Sequence, residues 1–352
     1  MKPLWNALCA AMVLVGVTLP TRDAAADDHP SVIRIAFPGT GVDNRPAVGG
    51  DTFSLMDIRA ALRNEFKSDG IQVTWTYLPT AGPGVNELYA NNLVDFSLLG
   101  DLPSIIGHAG GLKTHILAAS VLNNLYIAVP SDSSVQTVKD LKGKTFAEQK
   151  GTCVQLSAAR ILEANGLQER DLRAVNMDNA TAKAALLTKS VDAAIGGSDF
   201  LALRDQGVVR ILYTTKNEPQ FTCNSTIIGS DAFVQKYPAI TKRLVRAYVQ
   251  STKWVADHEQ NRDEVYMLWA KSGTPFSAYK EDWGGTPFLY RSSPLIDPYI
   301  VARYKQSIDD AKRYGLIRRT FDFDSWVDTS FLSQILQEDH LEAYWQPRAP
   351  LH

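Results

Sequence analysis

The stretch VDFSLLGD at residues 94–101 contains the pattern that decides the fold, and VDAAIGGS at residues 191–198 repeats it. Each is a short apolar run that begins with Val-Asp and ends at a glycine beside a small polar residue. Each also follows a stretch of helical composition, at residues 84–93 and 181–190. Short apolar runs bounded by turn residues are typical of buried strands. One chain therefore carries the same strand-forming pattern twice.

The repeat extends toward the N-terminus from both copies. Each half predicts strands and helices in the order β-α-β-α-β, which is typical of α/β domains with mostly parallel sheets. The predicted strands are 32–37, 71–77 and 94–100 in the first half and 144–148, 172–176 and 191–196 in the second. The predicted helices between the first two strands of each half are 53–66 and 153–164. Two such units in one chain predict two lobes with a cleft between them.

The first residues have the features of a signal peptide. Lys2 supplies a positive start, residues 10–19 are apolar, and residues 24–26 are three alanines suited to cleavage. We therefore predict cleavage near Ala26 and export to the periplasm.

The net charge of the chain is −2, which argues against nucleic acid as a partner because such binding needs a dense basic surface. We expect a monomer.

The predicted organisation has four segments. They are a signal peptide at 1–26, the first lobe at 27–123, the second lobe at 124–224, and a return to the first lobe followed by helices at 225–352. Strands at 124–130 and 225–229 are predicted to cross between the lobes and form a two-crossing hinge. Helices are predicted at 231–258, 262–270, 297–314 and 325–337. Residues 41–51 are rich in Gly, Asn, Pro and Asp and predict an inserted loop.

Two cysteines remain after the predicted cleavage, Cys153 and Cys223. Exported proteins often join such a pair, and a disulfide between them would close a loop of about 70 residues, contributing on the order of 4 kcal/mol in the chain-entropy model. Two free buried thiols are the alternative.

Ligands of open α/β sheets bind at the carboxyl ends of the strands, where helix N-termini favour anions. Several such edges in this chain are built from small and polar residues. With two candidates from the helical region, the predicted ligand-binding residues are Gly39, Thr40, Ala81, Gly82, Gly100, Asp101, Gly151, Thr152, Cys153, Gly197, Ser198, Asp199, Trp283 and Arg291. Gly100–Asp101 and Gly197–Ser198 are predicted to form opposite walls of one site.

Each residue also has a structural interpretation. Asp101 and Ser198 suit helix N-caps, with or without ligand contact. Arg291 is either an anion clamp or a member of an ion pair. Trp283 either stacks on an organic ligand or packs under a loop.

The sequence contains none of the common catalytic motifs that we sought. It has no Gly-x-Ser-x-Gly elbow, His-Glu-x-x-His motif or phosphate-loop lysine motif. Its six histidines are scattered without the spacing of metal ligands. We therefore expect a protein that is not an enzyme and has no metal site and no cofactor.

Several motifs resemble one known family. DLKGK at 140–144, KGT at 150–152 and LEANGL at 162–167 are similar to the second-lobe signature of substrate-binding proteins of ABC importers, in the nitrate, taurine and aliphatic-sulfonate family. The first-lobe signature resembles DFS at 95–97, GDLP at 100–103 and AGG at 109–111, and the helical region resembles SPLID at 293–297 and GLIR at 315–318. The resemblance implies a type II periplasmic binding fold: α/β, with two Rossmann-like lobes, a two-crossing hinge and C-terminal helices.

The resemblance also implies a function. The expected protein captures a small organic anion, such as a sulfonate or a taurine-like molecule, and delivers it to an ABC permease in the inner membrane. Asp101 and Asp199 are also suited to receive an ammonium group, which would favour a zwitterion. The alternatives are an enzyme on the same fold, similar to a thiamine-pyrimidine synthase, and a sensory module that presents its ligand to a membrane receptor.

Overall fold

The computed structural model describes residues 29–351, so the predicted signal peptide lies outside the described residues. The strands are β1 (Val32–Phe37), β2 (Gln72–Tyr77), β3 (Phe96–Gly100), β4 (Thr114–Asn123), β5 (Tyr126–Pro130), β6 (Thr145–Glu148), β7 (Arg173–Asn176), β8 (Ala193–Gly196), β9 (Val209–Thr214) and β10 (Cys223–Ser230). The helices are α1 (Thr52–Ile58), α2 (Ala61–Phe66), α3 (Ala81–Ala90), α4 (Asp101–Ala109), α5 (Cys153–Ala164), α6 (Asn179–Leu187), α7 (Asp199–Asp205), α8 (Asp231–Lys236), α9 (Pro238–Asp257), α10 (Arg262–Trp269), α11 (Phe276–Trp283), α12 (Phe288–Arg291), α13 (Pro298–Arg313) and α14 (Ser330–Glu338).

The strands form two five-stranded sheets with the same arrangement. The first has the order β2-β1-β3-β10-β4 and the second has the order β7-β6-β8-β5-β9. In each sheet the three strands of the repeated unit are parallel, and one strand from outside the unit, β10 or β5, pairs antiparallel with the third of them. The sequence repeat therefore corresponds to a repeat in topology, and we call the two units the first lobe and the second lobe.

The chain passes between the lobes twice. Residues 124–125 connect β4 to β5, and residues 215–222 connect β9 to β10. Beyond β10, most of the C-terminal helices pack on the first lobe. Residues of α9 and α14 join the core on one side of its sheet, and residues of α13 join the core on the other side. No helix within residues 29–351 is long and apolar enough to cross a membrane.

Two predicted helices are each divided into two. The stretch 53–66 forms α1 and α2 because Ala60 adopts a left-handed conformation with φ 56°. The stretch 231–258 forms α8 and α9, which are separated at Tyr237 with φ −129° and ψ 59°. A proline disfavours the helical conformation in the residue before it, so Pro238 ends one helix and begins the next.

Candidate functional site

A cavity of about 650 Å³ lies between the two lobes, and we call it the cleft cavity. The first lobe contributes the loop after β1 (38–44 and 48–50) and the start of α3, and the second lobe contributes α6, the start of α7 and part of α5. The hinge and the segment 272–282 complete the walls. The inserted loop is thus part of the cavity wall, and its Gly41 and Gly49 approach Ser272 and Tyr279 so closely that a Cβ would overlap them.

Seven of the predicted ligand-binding residues line the cleft cavity and seven do not. Those that line it are Gly39, Thr40, Ala81, Gly197, Ser198, Asp199 and Arg291. Those that do not line it are Gly82, Gly100, Asp101, Gly151, Thr152, Cys153 and Trp283.

Most of the excluded residues lie where the two lobes touch directly. A Cβ on Gly82 would overlap the ring of Pro103 within the first lobe and would lie 3.7 Å from the carbonyl oxygen of Gly151 in the second lobe. A Cβ on Gly151 would lie 2.9 Å from Cγ of Pro83 in the first lobe. A Cβ on Gly100 would lie 2.8 Å from Sγ of Cys153. These glycines permit close packing of one lobe against the other, so no room remains there for a ligand.

The structure joins Cys153 to Cys223 in a disulfide, with Cα atoms 5.4 Å apart. Cys153 begins α5 in the second lobe, and Cys223 begins β10 where the chain returns to the first lobe. Thr152 precedes Cys153 and is buried, with its hydroxyl donating to the carbonyl of Gln149 at 2.7 Å. This bond and the disulfide anchor the start of α5 beside the hinge.

Asp101 does not form a wall of the cleft cavity, which corrects the sequence prediction. It is 1% exposed, and its carboxylate accepts hydrogen bonds from the Leu102 amide and the Ser307 hydroxyl, both at 2.8 Å. Nη1 of Arg160 lies 3.9 Å from the same carboxylate. Ser307 belongs to α13, so a C-terminal helix covers the start of α4 and shields it from the cleft.

Asp199 does reach the cleft cavity. Its carboxylate accepts a hydrogen bond from Asn179 at 2.6 Å and pairs with Nζ of Lys183, also at 2.6 Å. Both partners line the cavity and belong to α6. The sequence prediction missed both of them, although Asp178, which caps α6 by accepting from the Thr181 amide at 2.8 Å, is a recognisable N-cap signal.

Arg291 lines the cavity, but its guanidinium is already held by protein groups. It pairs with Oδ2 of Asp282 at 2.6 Å, and its Nε donates to the Leu122 carbonyl at 2.7 Å. Asp282 in turn accepts from Asn124 in the first hinge crossing at 3.0 Å. The ion-pair interpretation of Arg291 therefore accounts for its contacts, and the pair fixes α11 against the hinge.

Trp283 is fully buried, which rules out the stacking interpretation in this structure. Its ring packs against Trp269 and Phe288, with centroids 4.9 and 5.4 Å apart. The guanidinium carbon of Arg291 lies 3.9 Å from the ring centroid, so the indole makes a stabilising cation–π contact with the arginine.

The charged groups of the cavity wall are mostly acidic. Four acids, Asp43, Asp178, Asp199 and Asp282, face two bases, Lys183 and Arg291. Since each base pairs with one acid, the wall keeps two carboxylates without a paired base. At the start of α6, the amides of Asn179 and Ala180 have no carbonyl partner within the helix, and both residues line the cavity, so they supply donors. The wall thus offers both donors for an anionic group and carboxylates for a cationic one.

Residues 29–351 contain no group of three or more His, Cys, Asp or Glu side chains placed to hold a metal ion.

Tyr279, another wall residue, shares a hydrogen bond of 2.8 Å with Ser272, and burial raises its pKa to about 12. Its phenol is therefore neutral at physiological pH and serves as a polar but uncharged part of the wall.

A family model described as NMT1/THI5 like matches residues 57–262. The chain belongs to that family. The resemblance indicated by the sequence motifs is thereby confirmed. The putative aliphatic sulfonates-binding protein of Escherichia coli (strain K12) is 32% identical, over 75% of this chain and 79% of that protein. The protein of the same description in Bacillus subtilis (strain 168) is 26% identical, over 78% of this chain and 81% of its own length.

Solved structures agree with the predicted fold class. The putative periplasmic sulfonate-binding protein SsuA from Methylobacillus flagellatus matches with a TM-score of 0.76 and 29% identity, over 91% of this chain and 98% of that chain. This two-lobe α/β architecture is the type II periplasmic binding fold that the motifs implied. The desulfurization enzyme DSZB has the same fold at 17% identity, with a TM-score of 0.65 over 87% of this chain and 99% of that one. The fold alone therefore does not distinguish binding from catalysis.

Proposed function

We propose that this member of the NMT1/THI5-like family is a periplasmic solute-binding protein that takes a small organic sulfonate into the cleft cavity and delivers it to an ABC permease. The observation that supports this most directly is the cavity of about 650 Å³ between the lobes of a protein whose relatives are described as sulfonate-binding. The protein acts as a monomer and performs no chemistry on the solute.

The cavity wall favours a sulfonate that also carries a cationic group. Amides at the start of α6 and the ammonium of Lys183 suit the sulfonate oxygens. The acids that remain without a paired base, Asp43 and Asp178, suit an ammonium group on the other end of the ligand. A ligand that contacts both lobes favours the closed arrangement, because only that arrangement provides all the contacts.

A thermal-shift screen tests the ligand class. Aminosulfonates, simple alkanesulfonates, sulfate, carboxylates and amines are each added to the purified protein at equal ionic strength. We expect aminosulfonates to raise the melting temperature most, since a ligand at 100 times its Kd stabilises the native state by about 2.7 kcal/mol. A rise with carboxylates or amines but with no sulfonate would overturn the proposed ligand class.

Substitution of Lys183 tests the place of binding. Lys183→Gln removes the one lysine of the cavity wall, and we expect calorimetry to show at least tenfold weaker binding of the best sulfonate. Lys189→Gln is the matched control, since Lys189 follows α6 and forms an exposed pair with Asp132 at 2.5 Å. Equal loss in both variants would place the ligand elsewhere.

Delivery and the absence of chemistry need separate measurements. We expect deletion of the gene to abolish growth on the best sulfonate as sole sulfur source, with recovery by the wild type and not by Lys183→Gln. We expect the purified protein to return the bound sulfonate unchanged after prolonged incubation. Conversion of the sulfonate would favour an enzyme on this fold instead.

A further inference from the structure

A second pocket, of about 290 Å³ and open to solvent, lies beside the second hinge crossing. One wall is α5 of the second lobe, with Arg160 and Glu163, and the opposite wall is α13 on the first lobe, with Arg303 and Asp310. Phe221 from the crossing also lines it. It shares no lining residue with the cleft cavity. We call it the arginine pocket.

Arg160 is 6% exposed and only partly satisfied by its neighbours. Its Nε donates to Oδ2 of Asp310 at 2.7 Å, and its Nη2 donates to the Ser307 hydroxyl at 3.0 Å. Its Nη1 is buried and has no hydrogen-bond partner among residues 29–351, since the carboxylate of Asp101 lies 3.9 Å away. Nη1 of Arg160 therefore lacks a hydrogen-bond acceptor within the described chain.

Arg303 has more buried N–H groups without a hydrogen-bond partner than Arg160. It is 7% exposed, and its Nε and Nη2 are buried without a hydrogen-bond partner in the described part of the chain. None of the carboxylates described lies within 4.0 Å of it. Burial lowers the pKa of Arg303, and the nearby charge of Arg160 lowers it further. A buried guanidinium in this state is strongly unfavourable unless an acceptor completes its contacts.

The third arginine of the pocket is already paired. Arg313 forms ion pairs with Glu163 and, at 2.7 Å, with Asp310. Among the described residues that line the pocket, Glu163 and Asp310 are the acids and three are arginines, while the buried Asp101 lies 3.9 Å from Arg160 behind this wall. The wall of the arginine pocket therefore has an excess of positive charge, opposite to the wall of the cleft cavity.

We propose that the arginine pocket is a second binding site, which takes a small inorganic oxyanion of the phosphate or sulfate type. The unfilled N–H groups of Arg303 and Nη1 of Arg160 are the donors that such an anion accepts from. The volume of about 290 Å³ accommodates a tetrahedral oxyanion with several waters, since one water occupies about 30 Å³ of liquid. The bound anion bridges α5 and α13 and so links the two lobes outside the cleft.

Calorimetric titration with phosphate, in chloride buffer of constant ionic strength, tests the proposal. We expect one phosphate per chain and at least tenfold weaker binding to Arg303→Met, which keeps an unbranched apolar stem and removes the donors. Arg313→Met is the matched control, because Arg313 lines the same pocket but is paired and 48% exposed at its side chain. We expect that variant to keep most of the affinity.

Two further variants make the result decisive. Phosphate binding that is lost in Lys183→Gln and kept in Arg303→Met would place the anion in the cleft cavity and overturn the proposal, as would no binding to the wild type. Arg303→Lys serves if Arg303→Met does not fold, since it keeps the charge but loses the forked donors. We expect it to bind phosphate more weakly than the wild type, and unchanged affinity would also contradict the proposal.

Thermal denaturation gives an independent readout. Without phosphate, Arg303→Met should melt at or above the temperature of the wild type, because the substitution removes an unsatisfied buried charge. With saturating phosphate the wild type should gain stability while the variant gains none beyond the general effect of the salt. An equal loss of stability in the variant with and without phosphate would show a purely structural arginine.

Discussion

The starts of α4 and α7 derive from the two copies of the sequence repeat, yet the two sites differ completely. At the first, Asp101 is buried and bonded to α13. At the second, Asp199 pairs with Lys183 and faces the cleft cavity. The backbone context is similar, since in both copies a strand ends at a glycine and a helix begins. The helix packed over a strand end, rather than the strand end itself, therefore decides whether that end is open to the cleft cavity.

The two aspartates should differ in what they contribute to stability. Asp101→Ala should reduce the free energy of unfolding by about 3 kcal/mol, because it removes two buried hydrogen bonds to a carboxylate and leaves Arg160 less well paired. Asp199→Ala should cost less than about 1 kcal/mol, since its groups can be solvated in the cavity. Urea denaturation of both variants measures the difference. Equal losses would show that the two aspartates contribute alike to stability.

The second prediction concerns the disulfide, which anchors the start of α5 in the second lobe. The double variant Cys153→Ser/Cys223→Ser should lose about 2–4 kcal/mol of stability. Reduction of the wild type should give the same loss, and reductant should not affect the double variant. The comparison would fail if reductant changed the stability of both proteins equally.

The first strands of the two lobes predict a difference in pH dependence. β1 ends at Phe37, whereas β6 ends at Glu148, and both side chains are buried. Burial, and then the charge of Glu169, raises the pKa of Glu148 to about 8. In the unfolded chain this carboxyl has its ordinary, lower pKa. Between the two pKa values, the native state therefore binds one more proton than the unfolded chain.

Ionisation of Glu148 therefore does not reduce the free energy of unfolding at acid pH. As the pH rises toward about 8, the free energy of unfolding falls by at most about 1.4 kcal/mol per pH unit. Glu148→Gln should flatten this part of the stability profile and make the protein more stable at pH 8 than the wild type. Denaturant titrations from pH 5 to pH 8 measure it. The exposed Glu87→Gln is the control and should retain the slope of the wild type.

The smallest expected effect concerns the helices after the first strands. The first-lobe helix is broken at Ala60, with φ 56°, whereas α5 is continuous. Ala60→Gly should stabilise the protein by about 0.5–1 kcal/mol, because glycine adopts this conformation without strain. Ala159→Gly within α5 should instead destabilise it by about 1 kcal/mol. The same sign for both substitutions, in thermal unfolding, would contradict the comparison.

Sequence patterns alone predicted much of the fold. The paired β-α-β-α-β units and the helix 153–164 follow from local apolar spacing, and the predicted strands are found within one or two residues of their predicted positions. The strands β4 and β9 were not predicted. These features are predictable because burial of a strand or helix face is recorded in the residues of that element. Pro238 is a local signal for the helix break at Tyr237, whereas no local signal in the sequence indicates the helix break at Ala60.

The candidate site was predictable only in part, for a physical reason. Strand ends such as Gly39–Thr40 and Ser198–Asp199 reach the cleft cavity because both sheets direct these edges toward it. Lys183 and Asn179 were missed because their role depends on α6 lying beside α7, which no local pattern records.

The sequence by itself determined that the chain forms two related α/β units, and its motifs indicated their family. Only the tertiary structure decided which edges of those units remain open. The placement of α13 over Asp101, the contact of Gly100 with Cys153 and the unsatisfied Arg303 each depend on residues that are far apart in the chain. Such contacts follow from the packing of one element on another, and an element's own sequence specifies its buried face but not its partner.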